Sequence, residues 1–295
     1  MRTSTEHHTL GAVAIGLVAA VLFAGLCTPP LAADNPLRTC FPYGVYVGGN
    51  DPEWRGQIKS EEDLRIAIDR VCADLAAHHM NCAWPNNLSP KYVPLWLEAG
   101  RRNGVRIVPQ GGGPPMFVRP DWFSNPEDFA RQVEPFWEDM ATKYRDDTAL
   151  LAWSLTEENQ PVPWFYDAIA SLTRKMEQWD PAHPMITLDN RVSSAWMNAT
   201  VVKPKAFCRD IYPFFGDGLN GPYEPTGFHS LLTRECGRFR AFTALCDAVY
   251  WHMGQAGQIT GFGPGQETLT LRTPTPAEIR WQVWSAIQQG AKGFF

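Results

Sequence analysis

The sequence predicts an α/β fold, a (β/α)8 TIM barrel that is truncated at its C-terminus in or just after the eighth strand. Eight short apolar runs, most of them separated by a helical pattern of about 12 to 20 residues, are typical of this architecture. The segment Val47–Asn50, which follows the first run, lacks the G-x-G-x-x-G spacing of a dinucleotide-binding fold. No linker-like stretch divides residues 34–295, so we expect one domain.

Strand positions follow from the apolar runs and the turn residues that bound them. The predicted strands are Tyr43–Gly48, Asn81–Pro85, Val105–Pro109, Leu150–Thr156, Met185–Leu188, Ala206–Tyr212, Val249–Met253 and Ala291–Phe295. Because the chain stops inside the last of these, we expect a longer protein in which an eighth helix follows.

Helix starts are marked by capping residues that precede apolar residues at helical spacing. The sequence predicts helix starts at Ser60 with Asp63, Ser89-Pro90, Asn125-Pro126 and Thr275-Pro276 with Glu278, and ends at Gly104, near Arg145 and at Gly290.

Composition narrows the range of functions. The chain has 295 residues and a net charge of −5, from 26 Lys plus Arg against 31 Asp plus Glu, with no long basic run. This balance argues against a nucleic-acid partner. The 12 Trp, 16 Phe and 8 Tyr suit either a large core or platforms that stack on sugar rings.

The first 33 residues are predicted to be a signal peptide or an N-terminal anchor. Arg2 precedes an uncharged run, Leu10–Leu26, and small residues follow at Leu31–Ala33. Either form implies export, to the periplasm or the extracellular space, with no other contact with a membrane. The sequence gives no information about protein partners.

Six cysteines remain after this segment, and export permits disulfides in any of about 15 complete pairings. Buried thiols with at most one or two disulfides are the favoured interpretation. No C-x-x-C or H-E-x-x-H motif occurs, so the sequence predicts no metal and no cofactor.

Active sites of this architecture lie where the parallel strands end. The residues at these ends are Tyr46, Trp84, Asn86, Gln110, Glu157, Glu158, Asp189, Arg191, Asp210, Tyr212 and His252 to Gln255. They form a polar, aromatic and acidic set without the paired histidines of metal-dependent hydrolases.

The fourth predicted strand carries two adjacent glutamates. Side chains alternate along a strand, and the large residues Trp153 and Leu155 suit the side that faces the helices. The same alternation places Glu158 over the mouth of the barrel and Glu157 at the rim, bonded to a loop. The alternative is that both are solvated loop acids.

The segment Ala149–Asn159 resembles the fourth-strand motif of the clan of retaining TIM-barrel glycoside hydrolases, most closely bacterial glycosidase-like barrels with a W-x-L-x-[D]-E-P form. Further likeness lies at Asp210–Pro213, Arg272–Arg280 and Gln289–Phe295. The resemblance implies an exported enzyme that hydrolyses glycosidic bonds in an oligo- or polysaccharide. It implies that Glu158 is the general acid/base.

The second catalytic carboxylate is not assigned by the resemblance. The clan places its nucleophile at the end of strand seven, where this sequence has Gln255, and an amide cannot replace a carboxylate in that role. Asp210 is the preferred candidate because alternation places it beside Tyr212 over the mouth. Glu267, in a glycine-rich loop, is the alternative.

The other side chains at the strand ends and in the early loops are candidates for substrate binding, although core packing or loop bonding explains each of them as well. They are Trp84, Asn86, Gln110, Glu157, Trp164, Asp189, Tyr212, Trp251 and Gln255. The presence of Gln255 also supports an alternative function, a non-catalytic carbohydrate-binding or scaffold protein on the same barrel.

Overall fold

The computed structural model describes residues 35–47, 58–212, 225–257, 259–262 and 268–295. The predicted targeting segment, Gly48 and Glu267 lie outside these residues. All elements described below belong to one compact unit, Pro36–Phe295.

Parallel strands alternate with helices along most of the described chain. The strands are β1 (Gly44–Val47), β2 (Cys82–Pro85), β3 (Arg106–Ile107), β4 (Trp153–Glu157), β5 (Met185–Asp189), β6 (Ala206–Asp210), β7 (Val249–Met253), β8 (Ile259–Phe262) and β9 (Thr268–Leu271). The helices are α1 (Glu61–Ala77), α2 (Val93–Asn103), α3 (Pro126–Tyr144), α4 (Pro163–Trp179), α5 (Val192–Met197), α6 (Pro225–Cys246) and α7 (Pro276–Gln288).

Two parallel sheets follow the chain order, β1-β2-β3 and β4-β5-β6-β7. Isolated parallel bridges join Ile107 to Leu150 and Gln110 to Ser154, between the two sheets. Chain order preserved in parallel strands is the pattern of successive βαβ units.

The segment predicted as the eighth strand, Ala291–Phe295, forms only isolated bridges. Phe294 bridges to both Tyr43 and His252, and its N–H donates to the Pro42 carbonyl at 2.9 Å. The antiparallel hairpin β8-β9 was not predicted, because its strands lie in a glycine-rich stretch that we interpreted as a loop.

The predicted helix starts at Ser60, Asn125 and Thr275 are confirmed, and each has a local cause. Ser60 and Asn125 each accept a hydrogen bond from the backbone N–H three residues later, at 3.1 and 2.8 Å. Thr275 and Glu278 form a reciprocal capping box. A 3-10 turn follows Ser89 before α2 begins, and α2 ends at Gly104, whose φ of 70° is the left-handed conformation that glycine adopts without strain.

Alternate residues of the strands pack on opposite sides. One set forms a central cluster that includes Trp84, Leu151, Ile186, Cys208 and Trp251. The other set packs against the helices, as Trp153 does beside Trp137 of α3 and Phe207 does beside Phe239 of α6. The strands are held between these two layers, and because they are parallel their carboxyl ends lie at one edge of each sheet.

Of the six cysteines after the predicted targeting segment, Cys40, Cys72, Cys82, Cys208 and Cys246 are free thiols, and Cys236 Sγ accepts a hydrogen bond from the Tyr250 hydroxyl at 3.0 Å. Among the described residues, no helix is both long enough and apolar enough to cross a bilayer.

Two glycines inside helices provide a matched test of this packing. A Cβ on Gly100 in α2 would lie 2.5 Å from the Val105 carbonyl oxygen and 2.9 Å from Ile107 Cγ1. A Cβ on Gly237 in α6 would meet no atom of the described residues within 4 Å. We expect Gly100→Ala to lower the free energy of unfolding by ~1–3 kcal/mol, since overpacking outweighs the better helix propensity of alanine.

Gly237→Ala is the control, and we expect it to stabilise the protein by ~0.5–1 kcal/mol. Urea denaturation at 25 °C measures both changes. Equal effects of the two substitutions would contradict the close packing of α2 on β3.

Candidate active site

Carboxylates converge at the carboxyl edge of the four-stranded sheet. Glu157 ends β4, Asp189 ends β5 and Asp210 ends β6, and the Glu158 N–H donates to the Leu188 carbonyl of β5 at 2.9 Å. Because these strands are parallel neighbours, their ends bring the acids of three strands together.

Glu158 and Asp210 form a hydrogen-bonded carboxyl pair. Burial raises the pKa of Glu158 to about 9, and the hydrogen bond to Asp210 and the negative charge of Asp210 act in the same direction. Glu158 therefore holds a proton at neutral pH and donates it to Asp210. Its backbone adopts a φ of 50°, the left-handed conformation that is uncommon for a residue other than glycine.

Asp210 is the buried member of the pair, with 3% of its surface exposed. Among the described residues, its Oδ1 atom has no hydrogen-bond partner, and Arg209 Nη1 lies 3.6 Å away. A buried carboxylate oxygen without a hydrogen bond is costly in a folded protein and is typical of a functional site.

Glu157 does not face the rim, and that prediction is wrong. Its Oε2 atom accepts hydrogen bonds from the Tyr46 hydroxyl at 3.0 Å and from Gln110 Nε2 at 2.6 Å, so its partners belong to β1 and to the segment after β3. The cause is a register shift between Ser154 and Thr156, which changes the alternation of side chains in β4. Burial raises the pKa of Glu157.

Gln110 and Trp84 support Glu157 rather than offering groups to a substrate. Trp84 Nε1 and Ser154 Oγ donate to Gln110 Oε1 at 2.9 and 3.0 Å, while Gln110 Nε2 donates to Glu157. Trp84 is completely buried. The prediction that Gln110 and Trp84 contact substrate is corrected, because their polar atoms are already paired within the protein.

Trp251 and Trp164 are also not placed at this edge as sugar platforms. Trp251 is completely buried in the central cluster, with its ring centre 6.4 Å from that of Trp84. Trp164 lines a separate groove between α3 and α4, together with Phe129 and Glu134. Trp251 is thus packed in the core, and Trp164 is partly buried where it lines this groove.

Asp189 and Gln255 have structural hydrogen bonds instead of the predicted substrate contacts. Asn198 Nδ2 donates to Asp189 Oδ2 at 2.7 Å, and burial raises the pKa of Asp189 to about 7. Gln255 Nε2 donates to the Gly257 and Arg272 carbonyl oxygens at 3.2 and 2.6 Å. Gln255 thus fixes the chain after β7, and its amide does not point to the carboxyl pair.

Tyr212 and Asn86 remain close to the acids. Burial and the charge of Asp210 raise the pKa of Tyr212, and its hydroxyl lies 3.7 Å from Met253 Sδ. Asn86 is half-buried and hydrogen-bonds Tyr46, the partner of Glu157. Both predictions of substrate contact stay open.

A cavity of 590 Å³ opens beside Glu158. Its lining comes from the segment before α3, from the β4-α4 connection and from the start of α5: Arg119, Pro120, Asp121, Glu158, Asn159, Gln160, Val162 and Arg191. The sequence placed Arg191 at a strand end but gave no signal for Arg119. No group of three metal-ligating side chains occurs among the residues that the structure describes.

Comparison with known proteins finds similarity in structure alone. No protein-family profile and no curated protein matches this sequence. A β-glucuronidase from Ruminococcus gnavus, in complex with C6-substituted uronic isofagomine, superposes with a TM-score of 0.62 at 15% identity, covering 87% of this chain and 43% of that one. The same enzyme with D-glucaro 1,5-lactone gives a TM-score of 0.60, also at 15% identity, with the same coverage of both chains.

A β-D-glucuronidase from Dictyoglomus thermophilum superposes with a TM-score of 0.56 at 12% identity, covering 86% of this chain and 42% of that one. The chain has a glycosidase-like fold. It spans less than half of the length of these structures. At identities of 12 to 15% the likeness concerns the fold, and the roles of individual side chains depend on the geometry of this chain.

The proton on Glu158 predicts how stability depends on pH. Its pKa is about 9 in the folded chain against an ordinary 4.5, so between these values the folded state holds a proton that the unfolded state has released. Stability attributable to Glu158 therefore falls as pH rises through this window. We expect the free energy of unfolding of Glu158→Gln to fall less steeply with rising pH than that of the wild type. The two slopes should differ by at most ~1.4 kcal/mol per pH unit.

Urea denaturation of both proteins at pH 5 to 9 measures this slope. Glu138→Gln, which removes an exposed carboxylate of α3, is the control and should leave the slope unchanged. Parallel curves for the wild type and Glu158→Gln would show that Glu158 is not protonated in the folded chain.

Proposed function

We propose that this chain is an exported glycoside hydrolase that cleaves glycosidic bonds in an oligo- or polysaccharide, with Glu158 as the proton donor. The supporting observation is that Glu158 lines an open cavity and yet has a pKa of about 9. A carboxylic acid that stays protonated at neutral pH beside a cavity provides the proton that a departing glycosidic oxygen requires.

The fold that we propose for this function is a (β/α)8 barrel. It is supported by the bridges between β3 and β4, by those of Phe294 to Tyr43 and His252, and by the glycosidase-like fold. The likeness of Ala149–Asn159 to the fourth-strand motif of retaining TIM-barrel hydrolases agrees with the position of Glu158 directly after β4. Export is inferred from the uncharged run Leu10–Leu26.

Asp210 is the second carboxylate in this proposal, as base or nucleophile. The two carboxyl groups of retaining hydrolases lie ~5–5.5 Å apart and those of inverting hydrolases ~6.5–9.5 Å apart. Carboxyls that share a hydrogen bond are closer than either arrangement allows. We expect Glu158 to be the member that turns toward a bound sugar, since it lines the cavity while Asp210 is buried.

A second function, carbohydrate binding without catalysis, is favoured by one observation. Gln255 stands where related hydrolases carry the nucleophile, and its amide is bound to backbone carbonyls of the chain after β7. The two functions are separated by assaying a panel of aryl glycosides and polysaccharides for both turnover and binding. Saturable binding without turnover would support the second function.

We expect Glu158→Gln to lower kcat about 100-fold or more, since a positioned general acid contributes ~10²–10⁴ in rate. The loss should be smaller for a dinitrophenyl glycoside, whose leaving group needs little protonation, than for a methyl glycoside of the same sugar. Glu138→Gln is the matched control. The assignment of Glu158 as the acid would be wrong if both substrates lost the same factor.

Asp210→Asn should abolish turnover while the variant stays folded by circular dichroism. Glu267→Gln, in the loop that was the alternative source of the second carboxylate, should retain more than about a tenth of the activity, because loop residues are poorly preorganised for catalysis. The reverse ranking would assign the second carboxylate to Glu267.

A further inference from the structure

Two arginines line the cavity beside Glu158. Arg191 lies near enough to Glu158 for its charge to lower the carboxyl pKa, and Arg119 has the same effect on Glu157. Both guanidinium groups belong to exposed residues of the cavity lining. Each is thus within electrostatic range of the catalytic edge and open to solvent.

Neither arginine has an ion pair among the described residues. Other arginines of the chain are paired, as Arg65 is with Glu98, Arg101 with Asp147 and Arg272 with Glu278. Several described arginines thus have a carboxylate within 4 Å. Arg119 and Arg191 are two guanidinium groups that line the same cavity without such a partner among the described residues.

The described lining of the cavity carries more positive than negative charge, although Asp210 and Glu157, which are not part of the lining, lie next to Glu158. Glu158 holds its proton at neutral pH, and Glu157 is occupied by Tyr46 and Gln110. Among the described residues of the lining, Asp121, which is exposed, is the one other acid. The cavity therefore presents positive charge to a ligand, although the chain as a whole has a net charge of −5.

Arg119 is also held in position by aromatic rings. Its guanidinium carbon lies 5.7 Å from the ring centre of Phe117 and 5.8 Å from that of Trp122. Cation–π contacts restrict the side chain before a ligand binds, so less conformational entropy is lost on binding. A guanidinium restrained in this way suits a planar carboxylate or another oxyanion.

We propose that the cavity beside Glu158 takes a sugar that carries an anionic group, and that Arg119 and Arg191 bind this group. A uronic acid carboxylate and a sugar sulfate ester share the required chemistry. The proposal deepens the proposed hydrolase function and rests on it for turnover, but the recognition of the anion can be measured without turnover.

The binding experiment uses isothermal titration of the protein with D-glucuronic acid, glucose 6-sulfate and glucose. At least one of the anionic sugars should bind at least tenfold more tightly than glucose, and added salt should weaken that binding. A preference for glucuronic acid identifies a carboxylate ligand, and a preference for glucose 6-sulfate identifies a sulfate. Equal affinity for all three sugars would overturn the proposal.

The variants Arg119→Ala and Arg191→Ala test the residues. Each should reduce the affinity for the preferred anionic sugar at least tenfold relative to glucose, whereas Arg174→Ala, at an exposed arginine of α4, should not change this ratio. An unchanged ratio in both cavity variants would overturn the assignment of the residues. A circular dichroism spectrum of each variant verifies that it is folded.

Turnover distinguishes this proposal from the proposed function. Cleavage of nitrophenyl glucuronide or of a nitrophenyl sulfosugar in preference to the neutral nitrophenyl glucoside supports both. Arginine-dependent binding of an anionic sugar without any turnover supports the recognition and contradicts the hydrolase function. Preferred cleavage of the neutral glucoside supports the hydrolase function and overturns the anionic substrate.

Discussion

The hydrogen bond between Glu158 and Asp210 is the interaction on which the candidate site depends. It exists because β4, β5 and β6 are parallel neighbours, which brings the end of β4 close to the end of β6. Two carboxyl groups in contact in a partly buried position do not both ionise, so one proton is retained. The pKa of Glu158 and the uncompensated charge of Arg191 both follow from this retained proton.

The two adjacent glutamates have different roles because their surroundings differ. Glu157 is fixed by Tyr46 and Gln110, and Gln110 is itself fixed by Trp84 and Ser154. Such a chain of hydrogen bonds across β1, β2 and β4 restrains Glu157 in one orientation. Among the described residues, Glu158 has no comparable set of partners, since the pair with Asp210 and the open cavity are its surroundings. Only Glu158 is therefore free to turn toward a ligand.

Local signals in the sequence were sufficient for the helix starts and for most strands. Ser60, Asn125 and Thr275 each cap a helix through atoms within three residues, so no distant contact was needed to predict them. The register shift after Ser154 depends on how β4 pairs with β5, which alternation within one strand does not reveal. The orientation of Glu157 was consequently mispredicted, although its place at the strand end was correct.

The difference between local signals and long-range contacts also explains why the sequence did not predict the positions of the aromatic residues and of Arg119. Trp84 and Trp251 occupy strand positions that suit either a core or a sugar platform, and only the three-dimensional packing places them in the central cluster. Arg119 precedes a 3-10 turn in a long connection, and its position in the cavity depends on the fold of that connection. Sequence patterns identified the edge at which the acidic residues lie, while the partners of each side chain required long-range contacts.

The end of β7 shows why the acidic residues gather on one part of the sheet edge. Gln255 binds the Arg272 carbonyl through its side chain, and its backbone N–H and carbonyl both bind the amide of Gln282 in α7. These bonds join the end of β7 to the segment before α7 and to the interior of α7, and a carboxylate at position 255 could not donate the bond to the Arg272 carbonyl. The glutamine that forms these hydrogen bonds therefore excludes a carboxylate nucleophile at position 255. Within the described residues, the carboxyl pair of Glu158 and Asp210 lies at the ends of β4 and β6.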